Sequence, residues 1–413
     1  MKLCDQQPPQ DARGRIRPLS LKTHCASLSR MLPVSVMVPV QSALMAALPA
    51  DGCTAPSHQA FGATHVSIRG IEDTIEVLPS LQRPKKIAFL GSDGRAYTFL
   101  AKPKDDLRKD TRMMEFNALL NRILAKSPAS RRRNLYIRTF TVIPLSEDCG
   151  LVEWVPNTRG IRHILQDLYE NAGLFVRRGP QATHTRIKQI YDKTASATDR
   201  MSQVLSMLPP IFHQHFLQSM PEPGAWARAR TAFAHTAGVW SMVGHIVGLG
   251  DRHGENILID GATGDCVHVD FSCLFDKGLD LELPELVPFR CTQNMVDGMG
   301  VSGVEGVFLS VCEIVLDILR SNRETLMTVL ETFVHDPLVE WTKQRTYAQQ
   351  DDPQLFSRSI LQKIRGRLEG RLIGVGSAAS MQLAPRGHAR RLVEEATAWD
   401  RLGKMYIWWM AWL

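Results

Sequence analysis

Residues 248–271, GLGDRHGENILIDGATGDCVHVDF, combine two short apolar runs with an intervening turn and several polar side chains. The runs are Ile257–Ile259 and Val267–Val269, and the turn between them contains Gly261 and Gly264. Short apolar runs on either side of a glycine-containing turn predict a β-hairpin. The polar residues of this stretch therefore stand at the ends of two adjacent strands, where their side chains can converge.

Asp251, Asn256 and Asp270 are the candidate reactive groups of this stretch. Phosphoryl transfer needs an Asp that orients the attacking hydroxyl and accepts its proton, and an Asn and a second Asp that hold Mg²⁺ against the nucleotide phosphates. In protein kinases the metal Asn follows the catalytic Asp by five residues, and an Asp-Phe pair comes later. Asn256 follows Asp251 by the same interval, and Asp270-Phe271 lies across the predicted hairpin. A polar surface turn in front of a strand is the competing interpretation.

GDRHGEN followed by HVDF resembles the catalytic and metal-binding segments of the phosphatidylinositol 3-kinase-related protein kinases. Ordinary protein kinases place a His-Arg pair before the Asp, whereas here an Arg-His pair follows it. The resemblance implies that Asp251 is the catalytic base, that Asn256 and Asp270 bind Mg²⁺ or Mn²⁺, and that the substrate nucleotide is ATP. It further implies that His253 lies against the transferring phosphate. Ser272 stands where protein kinases have the Gly of their Asp-Phe-Gly element.

Three β-prone runs, Ile75–Leu78, Ile87–Leu90 and Tyr97–Ala101, predict a strand-rich unit ahead of this segment. The loop between the first two runs contains Ser80. By its spacing this loop is an ordinary turn. The resemblance assigns it the phosphate-covering role, with Ser80 as the closest contact to the nucleotide.

Lys102 ends the third of these runs and begins the segment KPKDDLRKD. A lysine at a strand end is usually solvated. This segment resembles the lysine segment of the family, however, which implies that Lys102 pairs with the nucleotide phosphates as a point charge. Asp110 matches the last acid of the family segment and is expected to hold the lysine in place.

The run Gly150–Val155 is a candidate hinge between two lobes. Adenine recognition needs a main-chain N–H and C=O between apolar walls, and a strand end beside an aromatic side chain provides them. A core tryptophan at a strand end is an equally good interpretation of the residues alone. The resemblance implies that the adenine pocket is formed by Glu153, Trp154, Val155, Leu258 and Val269.

Apolar residues recur at three- and four-residue intervals from Met113 to Leu124, which predicts a helix with one buried face. The remaining predicted helices are Ile161–Tyr169, Ile187–Met207, Ala225–Val247, Glu305–Arg320, Arg323–Phe333 and Ile360–Leu372, and a further strand is predicted at Leu135–Ile143. The tail Met405–Leu413 contains three tryptophans and is too short to cross a bilayer. It is expected to dock onto the body of the protein, with burial against a partner or a membrane surface as the alternatives.

Composition indicates a globular protein, with 44% hydrophobic and 22% charged residues. The net charge of +7 comes in part from local clusters such as Arg131–Arg133 and is weak evidence for nucleic-acid binding. The eight cysteines include no C-x-x-C pair, so neither zinc nor a disulfide framework is expected. Met31–Ala50 is apolar, but its prolines argue against a transmembrane segment.

The resemblance implies an α+β fold, namely the two-lobed kinase fold of the phosphatidylinositol 3/4-kinase type. This fold has a β-rich N-lobe, a mainly helical C-lobe and a C-terminal helical FATC segment. The predicted divisions are a lead-in with the end of a preceding helical region (1–60), the N-lobe and hinge (61–156), the C-lobe with catalytic loop and activation segment (157–341), a linker (342–380) and the FATC segment (381–413).

The predicted activation segment, residues 272–290, carries information about the substrate. A kinase that phosphorylates inositol lipids needs several Lys or Arg here to hold a phosphorylated headgroup. This segment has two basic residues and four acidic ones, Asp276, Asp280, Glu282 and Glu285. A polyanionic headgroup would be repelled, so the charge balance favours a peptide substrate.

Within the family, the sequence most resembles the DNA-damage checkpoint kinases of a fungal or similarly diverged lineage. This implies a non-specific serine/threonine protein kinase that acts in the nucleus on Ser or Thr followed by Gln. Such kinases are much longer, and helical repeats that are absent from these residues bind a regulatory subunit and reach protein-coated single-stranded DNA. A phosphoinositide lipid kinase is disfavoured by the acidic activation segment. An inactive scaffold is disfavoured by the presence of the six expected polar residues Lys102, Asp110, Asp251, His253, Asn256 and Asp270.

Overall fold

A computed structural model of the chain describes residues 16–34, 36–39, 65–80, 82–179, 181–335, 353–371 and 382–413, together with positions 3, 6, 8 and 9. The chain divides into two compact units, Met1–Glu115 with Thr139–Val155 and Phe116–Arg138 with Pro156–Leu413. Much of the predicted lead-in, residues 336–341 of the predicted C-lobe and parts of the predicted linker lie outside the described residues.

The first unit is built on an antiparallel sheet. Its strands are β1 (Leu19–Ser20), β2 (Ile68–Ile71), β3 (Thr74–Val77), β4 (Lys85–Gly91), β5 (Ala96–Pro103), β6 (Val142–Ser146) and β7 (Cys149–Glu153). The strand order is β1-β3-β4-β5-β7-β6, and β2 pairs with β4. Helices α1 (Leu21–His24) and α2 (Ala26–Arg30) follow β1. The three strands predicted ahead of Lys102 and the strand predicted at the hinge are confirmed as β3, β4, β5 and β7.

Alternation along β3 shows why this segment forms a half-buried strand. Ile75 and Val77 are buried, whereas Thr74 and Glu76 are exposed. Successive side chains of a strand point to opposite faces, so the two apolar residues share the buried face. They pack with Ile87 in one core cluster of the unit.

The second unit is mainly helical, as predicted for the C-lobe. Its helices and those that lead into it are α3 (Arg108–Lys126), α4 (Pro128–Arg131), α5 (Ile161–Asn171), α6 (Thr183–Lys193), α7 (Ala197–Met207), α8 (His213–Ser219), α9 (Pro223–Val247), α10 (Gln293–Gly298), α11 (Val307–Ser321), α12 (Arg323–Val334), α13 (Pro353–Glu369), α14 (Pro385–Thr397) and α15 (Trp399–Leu402). Short 3₁₀ turns lie at Lys277–Asp280, Gly303–Glu305 and Ile407–Trp409. A small sheet has the order β10-β9-β8, formed by β8 (Thr158–Gly160), β9 (Ile257–Asp260) and β10 (Cys266–His268).

Helix α9 leads directly into residues 248–271, which contain the predicted catalytic and metal-binding residues. The Glu222 side chain caps its first turn by accepting a hydrogen bond from the Ala225 N–H. Gly238 allows helix α11 to approach closely, because a Cβ there would lie 2.9 Å from Val311 Cγ1. The helix ends at Gly248, whose φ of 59° is favoured by glycine. The chain then turns into residues 249–256.

The predicted hairpin is confirmed. Strands β9 and β10 pair antiparallel, with Leu258 opposite Val267. The buried Asp260 side chain accepts hydrogen bonds from the N–H groups of Ala262 and Thr263, at 2.7 and 3.1 Å, and so stabilises the turn. This turn is why the polar residues before β9 and after β10 lie at the same end of the hairpin.

The prediction of a strand at Leu135–Ile143 is wrong for most of its length. Residues 135–141 form no strand, and β6 begins only at Val142. The Asn121 side chain takes the place of a neighbouring strand, because its amide donates to Ile137 O at 2.7 Å and accepts from Ile137 N at 2.8 Å. The main-chain N–H and C=O of Ile137 are therefore satisfied without a ladder.

Two predicted helices have different boundaries. The helix predicted at Ile187–Met207 is two helices, α6 and α7, and Ser196 caps the second by accepting from Asp199 N. The helix predicted at Ile360–Leu372 is α13, which begins earlier, in the predicted linker, and ends at Gly370 with φ +80°. Among the described residues, no helix is long and apolar enough to cross a membrane.

Candidate active site

The loop between α9 and β9 is held in place by hydrogen bonds that its main-chain N–H groups donate to the predicted activation segment. Gly250 N donates to Cys273 O at 2.8 Å, and Asp251 N donates to Glu285 Oε2 at 2.8 Å. Within the loop, Asn256 Nδ2 donates to Asp251 O at 2.9 Å. Asp251 has a φ of 56°, a left-handed conformation in which Asp and Asn are enriched among residues other than glycine.

Arg252 joins this loop to the residues that follow β10. It is buried, and it donates through Nε to Gly250 O at 2.9 Å, through Nη1 to Val269 O at 2.9 Å, and through Nη2 to Asp270 O. Burial lowers the pKa of Arg252, and the neighbouring carboxylates oppose that shift. Residues 250–252 and 269–270 are thus fastened together by one guanidinium group, which sequence reasoning did not select.

Of the two predicted metal ligands, Asp270 lies in one of these segments and Asn256 lies four residues after Arg252. Asn256 O accepts a hydrogen bond from Val269 N at 3.0 Å, next to Asp270 in the chain. Asn256 is buried and its amide nitrogen is used on Asp251 O, so the side-chain oxygen is the atom that a cation would meet. Asp270 has a φ of 62°, and its Oδ1 accepts from Ser272 N at 3.2 Å. One amide oxygen and one carboxylate are hard oxygen donors, which suit Mg²⁺ or Mn²⁺.

His253 is placed to act as a neutral hydrogen-bond donor. Its Nδ1 accepts from Glu255 N at 3.2 Å, so the neutral ring carries its proton on Nε2. That nitrogen lies 3.9 Å from Asp251 Oδ2. Burial lowers the pKa of His253, and the charges of Asp251 and Glu255 oppose the shift. The imidazole is therefore neutral at physiological pH, with an N–H directed towards the Asp251 carboxylate.

The C-terminal tail reaches the same loop. The Tyr406 hydroxyl donates to Asp251 Oδ1 at 2.9 Å. Burial, reinforced by the Asp251 charge, raises the pKa of Tyr406, so its hydroxyl stays protonated and remains a donor. Sequence reasoning predicted that the tail docks, but not where. The two partners are 155 positions apart in the chain, so no local signal indicates this contact.

Arg290 anchors the tail to the same place. Its buried guanidinium donates to the main-chain oxygens of Trp409, Met410 and Leu413 at 2.7, 2.8 and 2.8 Å, and to Arg252 O at 3.3 Å. Its Cζ lies 4.3 Å from the centre of the Trp409 ring. Burial lowers the pKa of Arg290 to about 9, so the group remains charged at neutral pH. The docking predicted from the apolar tail is confirmed.

Glu285 is a buried acid that supports Asp251. Oε2 accepts the Asp251 N–H, whereas Oε1 has no hydrogen-bond partner among the described residues. Burial raises the pKa of Glu285, and the bond from Asp251 N opposes the shift. A Cβ at Gly250 would lie 2.8 Å from Glu285 Oε2, and one at Gly278 only 2.6 Å from it. Both glycines are needed for the carboxylate to fit here.

In the first unit, Lys102 lies near the end of β5 and pairs with a nearby acid. Its Nζ is 3.0 Å from Asp105 Oδ2, and both side chains are largely buried. Sequence reasoning selected Asp110 as the acid that holds the lysine, and missed Asp105. Asp110 is buried in the first turn of α3. Its role towards Lys102 stays a prediction.

The other nucleotide-binding residues predicted in the first unit lie on one loop and one strand end. Ser80 is exposed in the loop between β3 and β4, where its N–H donates to Leu78 O at 2.9 Å. Glu153 ends β7, and Trp154 N donates to Thr98 O at 2.8 Å. Val155 is buried. Their contacts with adenine stay predictions.

Leu258 and Val269, the other predicted pocket residues, belong to the second unit. Leu258 lies in β9 and Val269 directly follows β10, and both are half-buried. The structure thus brings Asp251, His253, Asn256 and Asp270 together with Leu258 and Val269 in the second unit. The predicted contacts to phosphate and adenine from Ser80, Lys102, Glu153, Trp154 and Val155 come from the first unit.

Comparison with known proteins defines the class of this chain. Residues 96–343 match the family model of the phosphatidylinositol 3- and 4-kinases, and residues 382–413 match the FATC domain. The chain belongs to the phosphatidylinositol 3- and 4-kinase family, which agrees with the fold predicted from the sequence.

Among its relatives are protein kinases of plants and fungi. The chain is 55% identical, over its whole length, to the serine/threonine-protein kinases ATR of Oryza sativa and Arabidopsis thaliana, of which it covers 15%. It is 43% identical to protein kinase rad3 of Schizosaccharomyces pombe over 95% of the chain and 16% of that protein. The greater identity to plant proteins does not support the expected fungal lineage.

A solved structure described as the FAT and kinase domain of CtTel1 shares the fold. It superimposes with a TM-score of 0.78 at 27% identity, over 96% of this chain and 27% of that chain. The chain therefore spans about 15% of the length of the first relatives named above and about a quarter of this structure.

Proposed function

We propose that the chain is an ATP-dependent serine/threonine protein kinase that modifies Ser or Thr followed by Gln. The observation that carries this proposal is the arrangement around Asp251, whose carboxylate accepts a hydrogen bond from Tyr406 and stands beside a neutral histidine N–H and two oxygen donors suited to a divalent cation. The similarity to kinases named ATR and rad3 supports the choice of hydroxyl-bearing protein side chains as acceptors.

In this reaction the substrate hydroxyl oxygen forms a bond to the γ-phosphorus of ATP, the bond from that phosphorus to the bridging oxygen of ADP breaks, and ADP leaves. The hydroxyl proton passes to the Asp251 carboxylate. Since Oδ1 accepts from Tyr406, Oδ2 is the oxygen that is oriented for this proton. His253 offers its Nε2–H beside the same oxygen, where it can donate to the transferring phosphoryl group.

Asn256 and Asp270 would hold the divalent cation, and Lys102 would pair with phosphate oxygens from the first unit. A bound Mg²⁺ or Mn²⁺ supplies charge neutralisation of the phosphates during transfer. The role of the chain is to keep the two oxygen donors in register. Arg252 bonds Val269 O and Asp270 O, and Val269 N in turn donates to Asn256 O.

The activation segment supports a peptide substrate rather than an inositol lipid. Arg290 is buried on tail oxygens, and Lys277 is half-buried with partners of its own. On the acidic side, Asp276 pairs with Arg367 at 2.6 Å, while Asp280 and Glu282 are exposed. The exposed surface of this segment is therefore acidic and also carries exposed leucines, at positions 279, 281, 283 and 286. Such a surface repels a phosphorylated headgroup.

The wider role is proposed from the resemblance to checkpoint kinases. It comprises DNA-damage and replication checkpoint signalling in the nucleus, with a regulatory subunit and a single-stranded-DNA-binding complex as partners of the longer family members.

The test is transfer of radiolabelled phosphate from ATP by the purified chain, with Mg²⁺ or Mn²⁺. A Ser-Gln peptide, its Ser-Ala counterpart and phosphoinositide vesicles are offered in parallel. Asp251→Asn serves as the blank, because Asn tolerates the left-handed φ of this position. Asp192→Asn, an exposed acid on α6, is the matched control and should keep full activity.

Label on the Ser-Gln peptide, lost in Asp251→Asn and kept in Asp192→Asn, is the expected result. Label on the lipid alone would replace the proposed substrate class by a phosphoinositide. Absence of label from every acceptor would favour an inactive scaffold and overturn the proposed activity for this chain.

A further inference from the structure

We infer that Tyr406 of the FATC segment is a positioning residue for phosphoryl transfer, which fixes the Asp251 carboxylate by donating to its Oδ1 oxygen. This inference rests on the proposed kinase activity, and it assigns to the FATC segment a direct part in the geometry of the catalytic group. It concerns one hydroxyl and one carboxylate oxygen, at a distance of 2.9 Å.

The first argument is the freedom that the carboxylate would otherwise have. The main chain of Asp251 is held by Glu285 and by Asn256, but those bonds act on its N–H and its C=O. Of its side-chain contacts, the one to His253 spans 3.9 Å, longer than a hydrogen bond. The Tyr406 hydroxyl, at hydrogen-bond distance, is the contact that selects one orientation of the carboxylate.

The second argument is that the tyrosine is itself held firmly. Its ring packs against a core cluster that includes Met201, Leu402 and Met405. Beyond it, Arg290 bonds the main-chain oxygens of three tail residues and also Arg252 O, next to Asp251 in the chain. The tail and the catalytic loop therefore share one anchoring side chain, so the distance between Tyr406 and Asp251 is set by the body of the second unit.

The third argument concerns what the reaction demands of Asp251. In a largely dissociative phosphoryl transfer the hydroxyl proton leaves late, so the main task of the Asp is to orient the attacking oxygen. A donor on Oδ1 leaves Oδ2 to accept from the substrate hydroxyl. Losing that donor frees the carboxylate to rotate and lowers the fraction of productive encounters, so kcat falls while substrate affinity is retained.

The test compares Tyr406→Phe with a chain that carries 3-fluorotyrosine at position 406. Phenylalanine keeps the packed ring and removes the hydroxyl, whereas 3-fluorotyrosine keeps the hydroxyl as a donor. For Tyr406→Phe we expect kcat to fall about ten- to a hundredfold, the factor that corresponds to one hydrogen bond to a charged group. KM for ATP and for the Ser-Gln peptide should change less than about twofold, as when an interaction acts on the transition state alone. The 3-fluorotyrosine chain should retain most of the activity.

Tyr97→Phe is the matched control. Tyr97, half-buried in β5, also donates to a carboxylate, Asp93 Oδ2 at 2.7 Å in the turn before that strand, but this pair belongs to the first unit and contacts none of the proposed catalytic residues in the second. Its loss should leave kcat unchanged. Unchanged kcat in Tyr406→Phe would overturn the inference, and so would an equal loss in the 3-fluorotyrosine chain, because the hydroxyl would then not be the active element.

A second readout separates this inference from the proposed activity. The ¹⁹F resonance of 3-fluorotyrosine 406 should move on Asp251→Asn and should not move on Asp93→Asn, whether or not the chain transfers phosphate. A resonance that ignores Asp251→Asn would overturn the inference even in an active kinase. An inactive chain that shows the shift would refute the proposed function alone and leave the contact established.

Discussion

Arg290→Met tests whether a single buried guanidinium holds the C-terminal tail on the catalytic loop. Arg290 is 2% exposed and donates to three tail oxygens at 2.7 to 2.8 Å. Methionine fills a similar volume and keeps the apolar packing against Trp409, but it donates no hydrogen bonds. The substitution therefore removes the hydrogen bonds of the tail oxygens and leaves the other contacts of the tail in place.

The magnitude follows from the carbonyl groups that are left behind. The substitution removes the donor but leaves the main-chain oxygens, and each buried oxygen without a hydrogen bond lowers the free energy of unfolding by about 1–3 kcal/mol. Part of this loss is offset, because the variant no longer has to bury a guanidinium charge, and desolvating an ion costs several kcal/mol. We expect a net loss of about 3 kcal/mol in the free energy of unfolding, against a typical total of about 5–15 kcal/mol. The fold should survive while the tail loosens.

Urea denaturation followed by tryptophan fluorescence measures this loss, and hydrogen exchange of amides 405–413 shows whether the tail opens first. Arg323→Met is the matched control, because Arg323 is half-exposed and pairs with Glu324 on the surface at 2.9 Å. That control should cost less than about 1 kcal/mol. An Arg290→Met chain whose stability and tail exchange equal those of the wild type would refute the reasoning.

Three further substitutions probe the proposed metal ligand Asp270, a half-buried histidine and a crowded glycine. Asp270→Ala should abolish transfer and weaken Mg²⁺-dependent nucleotide binding at least about tenfold in calorimetry, because it removes the carboxylate proposed to bind the cation; equal nucleotide affinity with and without Mg²⁺ in the wild type would contradict this. Burial lowers the pKa of His215 to about 4 in the folded chain, so as the pH falls the imidazole of the unfolded chain is protonated first. The free energy of unfolding should therefore fall by up to about 3 kcal/mol between pH 6.5 and 4. His215→Phe should remove that part of the pH dependence in denaturation curves, and an unchanged curve would exclude it. Gly250→Ala should lower kcat by about tenfold or more, since its Cβ would lie 2.8 Å from Glu285 Oε2 and displace the loop; wild-type rates would show that the carboxylate moves aside without cost.

Local patterns predicted those parts of the fold that depend on neighbouring residues. The hairpin around Gly261 and Gly264 was predicted correctly because turn residues and short apolar runs report on a few consecutive positions. The strand predicted at residues 135–143 was mostly wrong. The Asn121 side chain makes the hydrogen bonds of the Ile137 main chain, and Asn121 lies too far along the chain to be part of a local strand pattern. The break between α6 and α7 had a local signal, Ser196 followed by Asp199, that was outweighed by the apolar periodicity.

The same division holds for the candidate site. Asp251, Asn256 and Asp270 were selected by their spacing within twenty residues of chain, and the structure brings their segments together through Arg252. Tyr406 could not be selected, because nothing near residue 406 indicates a partner at residue 251. Contacts of this kind depend on how the whole unit packs and carry no periodic or motif signal.

The long separation between Asp251 and Tyr406 has a consequence for biosynthesis. Tyr406 is added 155 residues after Asp251, which at about 5–20 residues per second takes about 8 to 30 s. During this interval the nascent loop has neither its tyrosine donor nor the tail oxygens that engage Arg290. A ribosome-bound chain that has formed the hairpin therefore still lacks the hydrogen bond between Tyr406 and Asp251, and the geometry of the proposed active site is completed only when the tail docks.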